Sequence, residues 1–371
     1  MAVLLKKNNP TVKGILILNH KEVNLLPFFS PFRDRYLIGC HVGCHHKSEN
    51  ITGFDFYLSS PEQLPDNFPD KDKIIPMNSR NFLPNEFHNI RNKTKESLLY
   101  SVEQMHKVSK AKISDSVLDD IRNNEKDYYW DILWVNKPHS VKNIKTFLDQ
   151  LKIVFNNNPC NVLLICAISP NEYKYKDHFL DVESYIKQIF TEEERKFISL
   201  LRPETSGNEG ADNSLMPPFY QWSNVFAFYT QKEGESRVVH EALCCGCRIV
   251  YYKYVEGGSD DYLDNTNSIA FDSYTDSYES LLSAIKLNKV SDCTGIHSIC
   301  LCENTIDKFK KELGDFYNRH NLVYDGEILD IPNLHFELPA HNHKVPWKAP
   351  HNETGDLTPP YLNEFIRHTG M

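Results

Sequence analysis

The chain has 371 residues, with 41 basic and 50 acidic side chains and a formal net charge of −9. This length is enough for about two domains of 100–200 residues, each with its own core. The acidic balance argues against a nucleic-acid partner. No apolar run reaches the roughly 18 residues that a membrane-spanning helix needs.

Short apolar runs separated by polar loops predict a first α/β domain over residues 1–126. Parallel strands are expected at 13–19, 35–39, 54–58 and 73–77, and a helix is expected at 92–108. The polar segment 123–130 is interpreted as the link to a second domain. The N-terminal MAVLLKKNNP has no secretory signal's apolar core, and the ten scattered cysteines are interpreted as intracellular thiols.

The second α/β domain is predicted over residues 127–330. Its strands and helices are expected at 131–135, 141–155, 161–168, 185–197 and 197–201, with an element opening at 216–222 and closing helices at 277–287 and 304–317. The Pro- and His-rich tail, 331–371, could pack back on the first domain.

The stretch 225–250, VFAFYTQKEGESRVVHEALCCGCRIV, has the pattern strand, loop, helix, turn, strand. Ser236 is predicted to cap the helix. Glu233 lies in the loop and Glu241 in the helix. A loop leading into a helix N-terminus suits a phosphate-bearing ligand, and carboxylates accept hydrogen bonds from sugar hydroxyls. The pattern therefore indicates a sugar-nucleotide site.

Within this stretch, EGESRVVHEALCCGCRIV resembles the E-x7-E signature of retaining GT-B glycosyltransferases of family 4, usually written EGFGLVVLEAMACGxPVV. Glu235 and Ser236 replace that family's aromatic residue and second glycine, and Arg248 replaces its proline. The resemblance implies two Rossmann-like domains that face each other across a cleft, the first reduced in size. It also implies a hexosyltransferase that needs no metal or other cofactor.

The same resemblance assigns roles to residues of the second domain. Glu241 would bind the ribose hydroxyls and Glu233 the transferred sugar. Lys137 and Lys142, spaced like the family's Arg and Lys, would hold the diphosphate. The remaining sugar-donor contacts would come from the loop and the helix N-terminus: Gly234, Glu235, Ser236 and Arg237.

The family often places a first-domain histidine near the transferred sugar, and the sequence leaves the choice open. Together with Glu233, His20 and His41 are the catalytic candidates, and His45 is a further cleft candidate. Ser79 and Arg80 follow the fourth predicted strand, where they could meet the acceptor. The cluster CHVGCHH (40–46) could ligate zinc, but no second pair of suitable spacing follows, so no metal site is predicted.

These features favour a glycosyltransferase that moves a sugar from a nucleoside-diphosphate sugar, such as a UDP-sugar, to a glycan, lipid-linked or protein acceptor, with retention implied by the family. Polysaccharide biosynthesis in the cytoplasm follows from analogy alone, with peripheral membrane association left open. A non-catalytic nucleotide-sugar- or glycan-binding protein and a nucleotide-sugar epimerase remain alternatives.

Overall fold

The computed structural model describes residues 3–19, 23, 25–42, 51–59, 68, 70–76, 87, 94–167, 179–204, 213–233, 236–256, 262–294, 296–297 and 302–328. The chain divides into two compact units. The first consists of Met1–Pro84 with Ser298–Met371, and the second is Asn85–His297. Among the helices in these ranges, none has the length and apolarity needed to cross a membrane.

The first unit contains a five-stranded sheet whose strands lie side by side in chain order. The second to fifth strands are parallel, and the first is antiparallel to the second. A short helix, α1 (Leu26–Phe29), follows the second strand. The strands are β1 (Val3–Lys6), β2 (Gly14–Asn19), β3 (Tyr36–His41), β4 (Phe56–Ser59) and β5 (Ile74–Pro76).

The second unit is built around a parallel six-stranded sheet in the order β11-β10-β9-β6-β7-β8. Its strands are β6 (Trp130–Asn136), β7 (Val162–Cys166), β8 (Ile198–Leu201), β9 (Ser223–Phe228), β10 (Arg248–Tyr252) and β11 (Ser268–Phe271). The order, counted from the first strand of the unit, is 6-5-4-1-2-3, which is that of a doubly wound Rossmann sheet. The winding reverses between β6 and β9.

The helices of the second unit are α2 (Lys95–Val108), α3 (Asp115–Asn123), α4 (Ile144–Asn157), α5 (Val182–Ile189), α6 (Glu192–Arg195), α7 (Pro217–Gln221), α8 (Arg237–Cys244) and α9 (Ser277–Ile285). Residues of α4, α5 and α9 share one apolar core with the sheet. In α4, for example, Phe147, Leu151 and Val154 recur at helical spacing and are fully buried.

Helix α2 lies in the second unit, whereas its sequence counterpart, 92–108, was assigned to the first domain. Its C-terminal end is tied to that unit, because the N–H of Lys110 donates to the carbonyl of Arg202 at 3.0 Å. Ser109 also bridges to Pro203. The polar segment 123–130, interpreted as a link, therefore lies within the second unit.

The last helix, α10 (Cys302–Arg319), packs in the first unit. Its buried residues are spaced along one face and share a core with the strands: Phe309, Leu313, Phe316 and Tyr317 meet Leu5, Ile15, Ile17, Leu37, Phe56, Leu58 and Ile75. The Tyr317 hydroxyl donates to the Lys13 carbonyl at 2.9 Å. The sequence predicted the helix at 304–317 but assigned it to the second domain. The tail 331–371 lies outside the described residues.

Candidate functional site

The point where the winding of the second sheet reverses defines the candidate site. Strands β6 and β9 pair in parallel there, so their carboxyl ends lie at one edge. The chain leaving β6 leads to α4, and the chain leaving β9 leads to α8. Ligands of open α/β sheets bind in the crevice that this divergence creates. The predicted residues Lys137 and Lys142 lie in the first of these loops, and Glu233 lies in the second.

The β6–α4 loop is held against the end of β9 by Asn143. This residue has φ +53°, a left-handed conformation that asparagine tolerates better than most residues. Its Nδ2 donates to the carbonyl of Tyr229 at 3.0 Å. The hydroxyl of Tyr274 donates to the same carbonyl at 3.0 Å. The Tyr229 carbonyl oxygen at the end of β9 therefore holds Asn143, the residue that follows Lys142, in place.

The structure brings Lys142 and Glu233 together. The Lys142 Nζ lies 2.5 Å from a Glu233 carboxylate oxygen, and their side chains are only 15% and 26% exposed. The Glu233 N–H donates to the carbonyl of Glu256 at 3.0 Å, which anchors its loop. Lys137 begins the same loop as Lys142 and is half-buried, with its N–H donating to Asn136 Oδ1 at 3.0 Å. An ammonium and a carboxylate predicted to serve one ligand are thus adjacent.

Helix α8 begins directly after the Glu233 loop. Ser236 occupies its N-cap position, as predicted, but the Ser236 side chain makes no capping hydrogen bond. Its carbonyl instead accepts from the Val239 N–H at 3.1 Å and lies 3.0 Å from His240 Nδ1. The predicted side-chain cap was therefore wrong, and the backbone of Ser236 makes these local contacts.

Glu241 is buried within the unit, with only 4% of its surface exposed. The Tyr220 hydroxyl donates to one carboxylate oxygen at 2.8 Å, and Arg237 Nε lies 3.1 Å from the other. Burial raises the pKa of Glu241, and the adjacent Arg237 and Tyr220 oppose that rise. Burial, reinforced by the carboxylate, holds the pKa of Tyr220 well above its usual value. This carboxylate is therefore part of an interior network.

The contact of Arg237 with Glu241 can be predicted from the sequence, whereas that of Tyr220 cannot. Arg237 precedes Glu241 by one helical turn, a spacing at which oppositely charged side chains meet. Burial lowers the pKa of Arg237 and Glu241 opposes that shift. Tyr220 lies on α7, and nothing in its local sequence connects it with Glu241.

A tight turn joins α8 to β10. Gly246 has φ +78°, and a Cβ there would lie 2.7 Å from the Val290 carbonyl oxygen. Only glycine fits both the left-handed backbone and this close approach. The neighbouring cysteines Cys244, Cys245 and Cys247 are buried as reduced thiols. Burial raises the pKa of Cys245 well above its usual value, which favours the neutral thiol over the thiolate.

Several predicted site residues lie outside the described residues: His20, His45, Ser79, Arg80, Gly234 and Glu235. His41 is described and ends β3 in the first unit. Burial lowers its pKa to about 4, so its imidazole is neutral near pH 7. Within the described part of the chain, no group of three or more His, Cys, Asp or Glu side chains is arranged to hold a metal ion. Most of the CHVGCHH cluster falls outside that part.

Comparison with known proteins identifies the fold. No protein-family model and no curated protein matches the sequence. The solved structure of HepE from Anabaena in complex with UDP is similar over 82% of this chain and 78% of that one, with a TM-score of 0.53 and 10% identity. The UDP-forming α,α-trehalose-phosphate synthase from Burkholderia xenovorans, in complex with glucose-6-phosphate, gives 0.54 at 12% identity over 81% and 72%.

The corresponding synthase from Burkholderia vietnamiensis gives a TM-score of 0.50 at 12% identity, over 82% of this chain and 71% of that one. At such low sequence identities, structural similarity is evidence for the fold alone. Together with a first sheet that is parallel from β2 to β5 and a second sheet that is parallel throughout, it shows that this chain has the GT-B fold of two Rossmann-like domains.

Proposed function

We propose that the protein is a glycosyltransferase that uses a nucleoside-diphosphate sugar, with UDP as the first nucleotide to test. The observation that carries this proposal is the Lys142–Glu233 pair at the point where the second sheet reverses its winding. One side chain suits a diphosphate and the other suits sugar hydroxyls. The names of the structural neighbours, which include UDP complexes and a UDP-forming synthase, support this choice of nucleotide.

In this proposal, ligand binding separates the pair. Without a ligand, Lys142 and Glu233 neutralise each other and are held in place while half-buried. A diphosphate offers the Lys142 ammonium a stronger, doubly charged partner, and Lys137 in the same loop adds a second positive charge. Glu233 is then free to accept hydrogen bonds from the transferred sugar. The ammonium stabilises charge that builds on the leaving diphosphate, which is an electrostatic form of catalysis.

The finer features of the reaction are part of the same proposal. Transfer would proceed with retention of configuration and without a metal, and the sugar would be a hexose. The acceptor would be a glycan, a lipid-linked molecule or a protein, in a pathway of polysaccharide assembly in the cytoplasm or at a membrane surface. His41, one of the two predicted catalytic histidines, stays a prediction; it ends β3, and its imidazole is neutral near pH 7.

A non-catalytic nucleotide-sugar-binding protein is the second candidate, and one observation favours it. Glu241, the residue expected to bind ribose, is enclosed by Arg237 and Tyr220. A ribose could reach this carboxylate only after the network rearranged. A site that had lost this contact could still bind a sugar nucleotide through Lys142 and Glu233.

Two measurements on the purified protein separate these candidates. The first is a thermal-shift titration with UDP, GDP, ADP and CMP, because a ligand of the folded state raises Tm by mass action. The second is release of nucleoside diphosphate from its sugar conjugate, with Glu233→Gln as the variant and Glu256→Gln, an exposed carboxylate close by, as the control.

A Tm shift with one nucleotide, together with release that Glu233→Gln abolishes and Glu256→Gln retains, supports the transferase. A Tm shift without release in the presence of a panel of glycan acceptors supports the binding protein. No shift with any nucleotide or sugar nucleotide contradicts both.

A further inference from the structure

A cavity lies at the amino edge of the sheet of the second unit, opposite the edge that carries Lys142 and Glu233. It has a volume of about 440 Å³, and its lining combines the end of α3 and the loop after it with residues at the start of three neighbouring strands. Asp131 is the second residue of β6, Asn161 precedes β7 and Phe197 precedes β8. Because β6 has seven residues, the two edges are about 20 Å apart at roughly 3.3 Å per residue.

The charges of this cavity disfavour an anionic ligand. Asp120 and Asp131 contribute two carboxylates to the lining, and Lys126 contributes the single ammonium. A nucleotide or an acidic sugar would therefore meet a net negative wall. The carboxylates instead offer acceptors for the paired hydroxyls of a neutral ligand.

Aromatic side chains form part of the same wall. Tyr128, Tyr129 and Phe197 line the cavity, and Phe197 is 39% exposed. Such rings present a flat apolar face, and tyrosine adds a hydroxyl group that can donate or accept. A ligand with one apolar face and a polar rim fits this combination, and a sugar ring has that form.

The walls are held in place by hydrogen bonds within the unit. The Asn161 N–H donates to Asp131 Oδ2 at 2.8 Å, and its side-chain amide donates to the Tyr129 carbonyl at 3.3 Å. Asn124 donates to the Tyr128 carbonyl at 2.8 Å. The site is therefore formed before a ligand arrives, which lowers the ordering cost of binding.

We propose that this cavity is a saccharide-binding site for one or two neutral sugar residues, separate from the site that contains Lys142 and Glu233. Carboxylates accept hydrogen bonds from the sugar hydroxyls, and the aromatic rings cover the apolar face of the sugar. The asparagines hold the carboxylates and the rings in place. The site holds a glycan on the far edge of the sheet, and its existence does not depend on the function proposed above.

The test is saturation-transfer NMR and calorimetry of the whole chain with maltose, cellobiose, lactose, chitobiose and mannobiose at millimolar concentration. The lining variants decide whether a signal comes from this cavity, because sugar binding at the site of Lys142 and Glu233 would not depend on Asp120 or Tyr128. Asp120→Asn and Tyr128→Ala alter the lining, and Asp127→Asn changes an exposed neighbour that does not line the cavity. Because Asp120 is exposed, its substitution leaves the core intact even if Tyr128→Ala fails to fold.

We expect at least one disaccharide to bind, and Asp120→Asn to weaken it by about tenfold, which corresponds to about 1.4 kcal/mol. Asp127→Asn should keep the affinity, and all variants should keep any UDP binding. The proposal is overturned if none of the five sugars binds, or if Asp127→Asn weakens binding as much as Asp120→Asn. Preferential binding of spermidine would mark a cation site instead and would equally overturn it.

Discussion

The Tyr220 hydroxyl hydrogen-bonds Glu241 at 2.8 Å, although the two residues lie on different helices. Both are fully buried, and Arg237 contacts the other carboxylate oxygen. A buried charge with good partners is retained at little net cost, whereas the removal of one partner is expensive. Glu241 therefore contributes to the packing of α7 against α8 within the second unit.

Tyr220→Phe should lower the free energy of unfolding by about 1–3 kcal/mol, because one carboxylate oxygen loses its partner in the interior. Urea denaturation measures this change. Tyr100→Phe is the matched control, since Tyr100 is 60% exposed and its hydroxyl is accessible to water. Equal stabilities for the two variants would show that the Tyr220–Glu241 bond contributes nothing.

Lys142→Gln should weaken UDP binding by about 10- to 100-fold, since a hydrogen bond to a charged group contributes about 1.5–3 kcal/mol. Calorimetry with UDP and with uridine separates the diphosphate from the base, and uridine affinity should not change. Lys145→Gln is the control, because Lys145 is 61% exposed and pairs with Asp149 on the surface of α4. Unchanged UDP affinity in Lys142→Gln would remove this residue from the phosphate site.

His41 should make the stability of the protein depend on pH between about 6.5 and 4. Its pKa is lowered from 6.5 to about 4 in the folded protein, so over this range the unfolded chain binds a proton that the folded protein does not. Stability is therefore lost as pH falls through the window, by up to about 3 kcal/mol.

Unfolding of the wild type and of His41→Asn, measured at pH 7, 6, 5 and 4, isolates this contribution from that of other groups. As the pH falls, the free energy of unfolding of the wild type should decrease more than that of His41→Asn. Parallel curves would show that the histidine is hydrated in the folded protein.

Leu313→Ala should destabilise the first unit by about 2–5 kcal/mol, because Leu313 is fully buried between α10 and the first sheet. Hydrogen exchange should then accelerate in β2 and β3 and stay slow in β6 and β7. Val323→Ala, at a position that is 62% exposed, should leave exchange unchanged. Faster exchange in β6 and β7 alone would contradict the packing of α10 in the first unit.

Much of the second unit could be predicted from local pattern. The apolar runs that became β6, β7, β9 and β10 are continuous because these strands are buried on both faces. By contrast, the sequence did not predict β1 or β11, although β4 and β8, which have four residues like them, were predicted. The sheet against which α10 packs could not be predicted either. An apolar stripe on a helix shows that this face is buried, but it does not identify the element that buries it.

The candidate site divides along similar lines. The pairing of Lys142 with Glu233 follows from parallel strands that end at one edge, so the topology alone brings the two loops together. Tyr220 is different, because its contact with Glu241 depends on how α7 packs against α8. Ser236 does not cap the helix with its side chain. Its carbonyl oxygen instead lies next to the His240 ring in the following turn.

The division of the first unit into Met1–Pro84 and Ser298–Met371 has a consequence for how the protein is made. The ribosome releases the strands β1–β5 early and α10 only after the whole second unit has emerged. Asn85–His297 is continuous and can fold as soon as it has left the exit tunnel. The apolar face of the first sheet that α10 covers, including Ile15 and Ile17, stays uncovered until then. A nascent chain stalled before residue 302 therefore exposes an apolar face of the first sheet, the kind of surface that chaperones bind during synthesis.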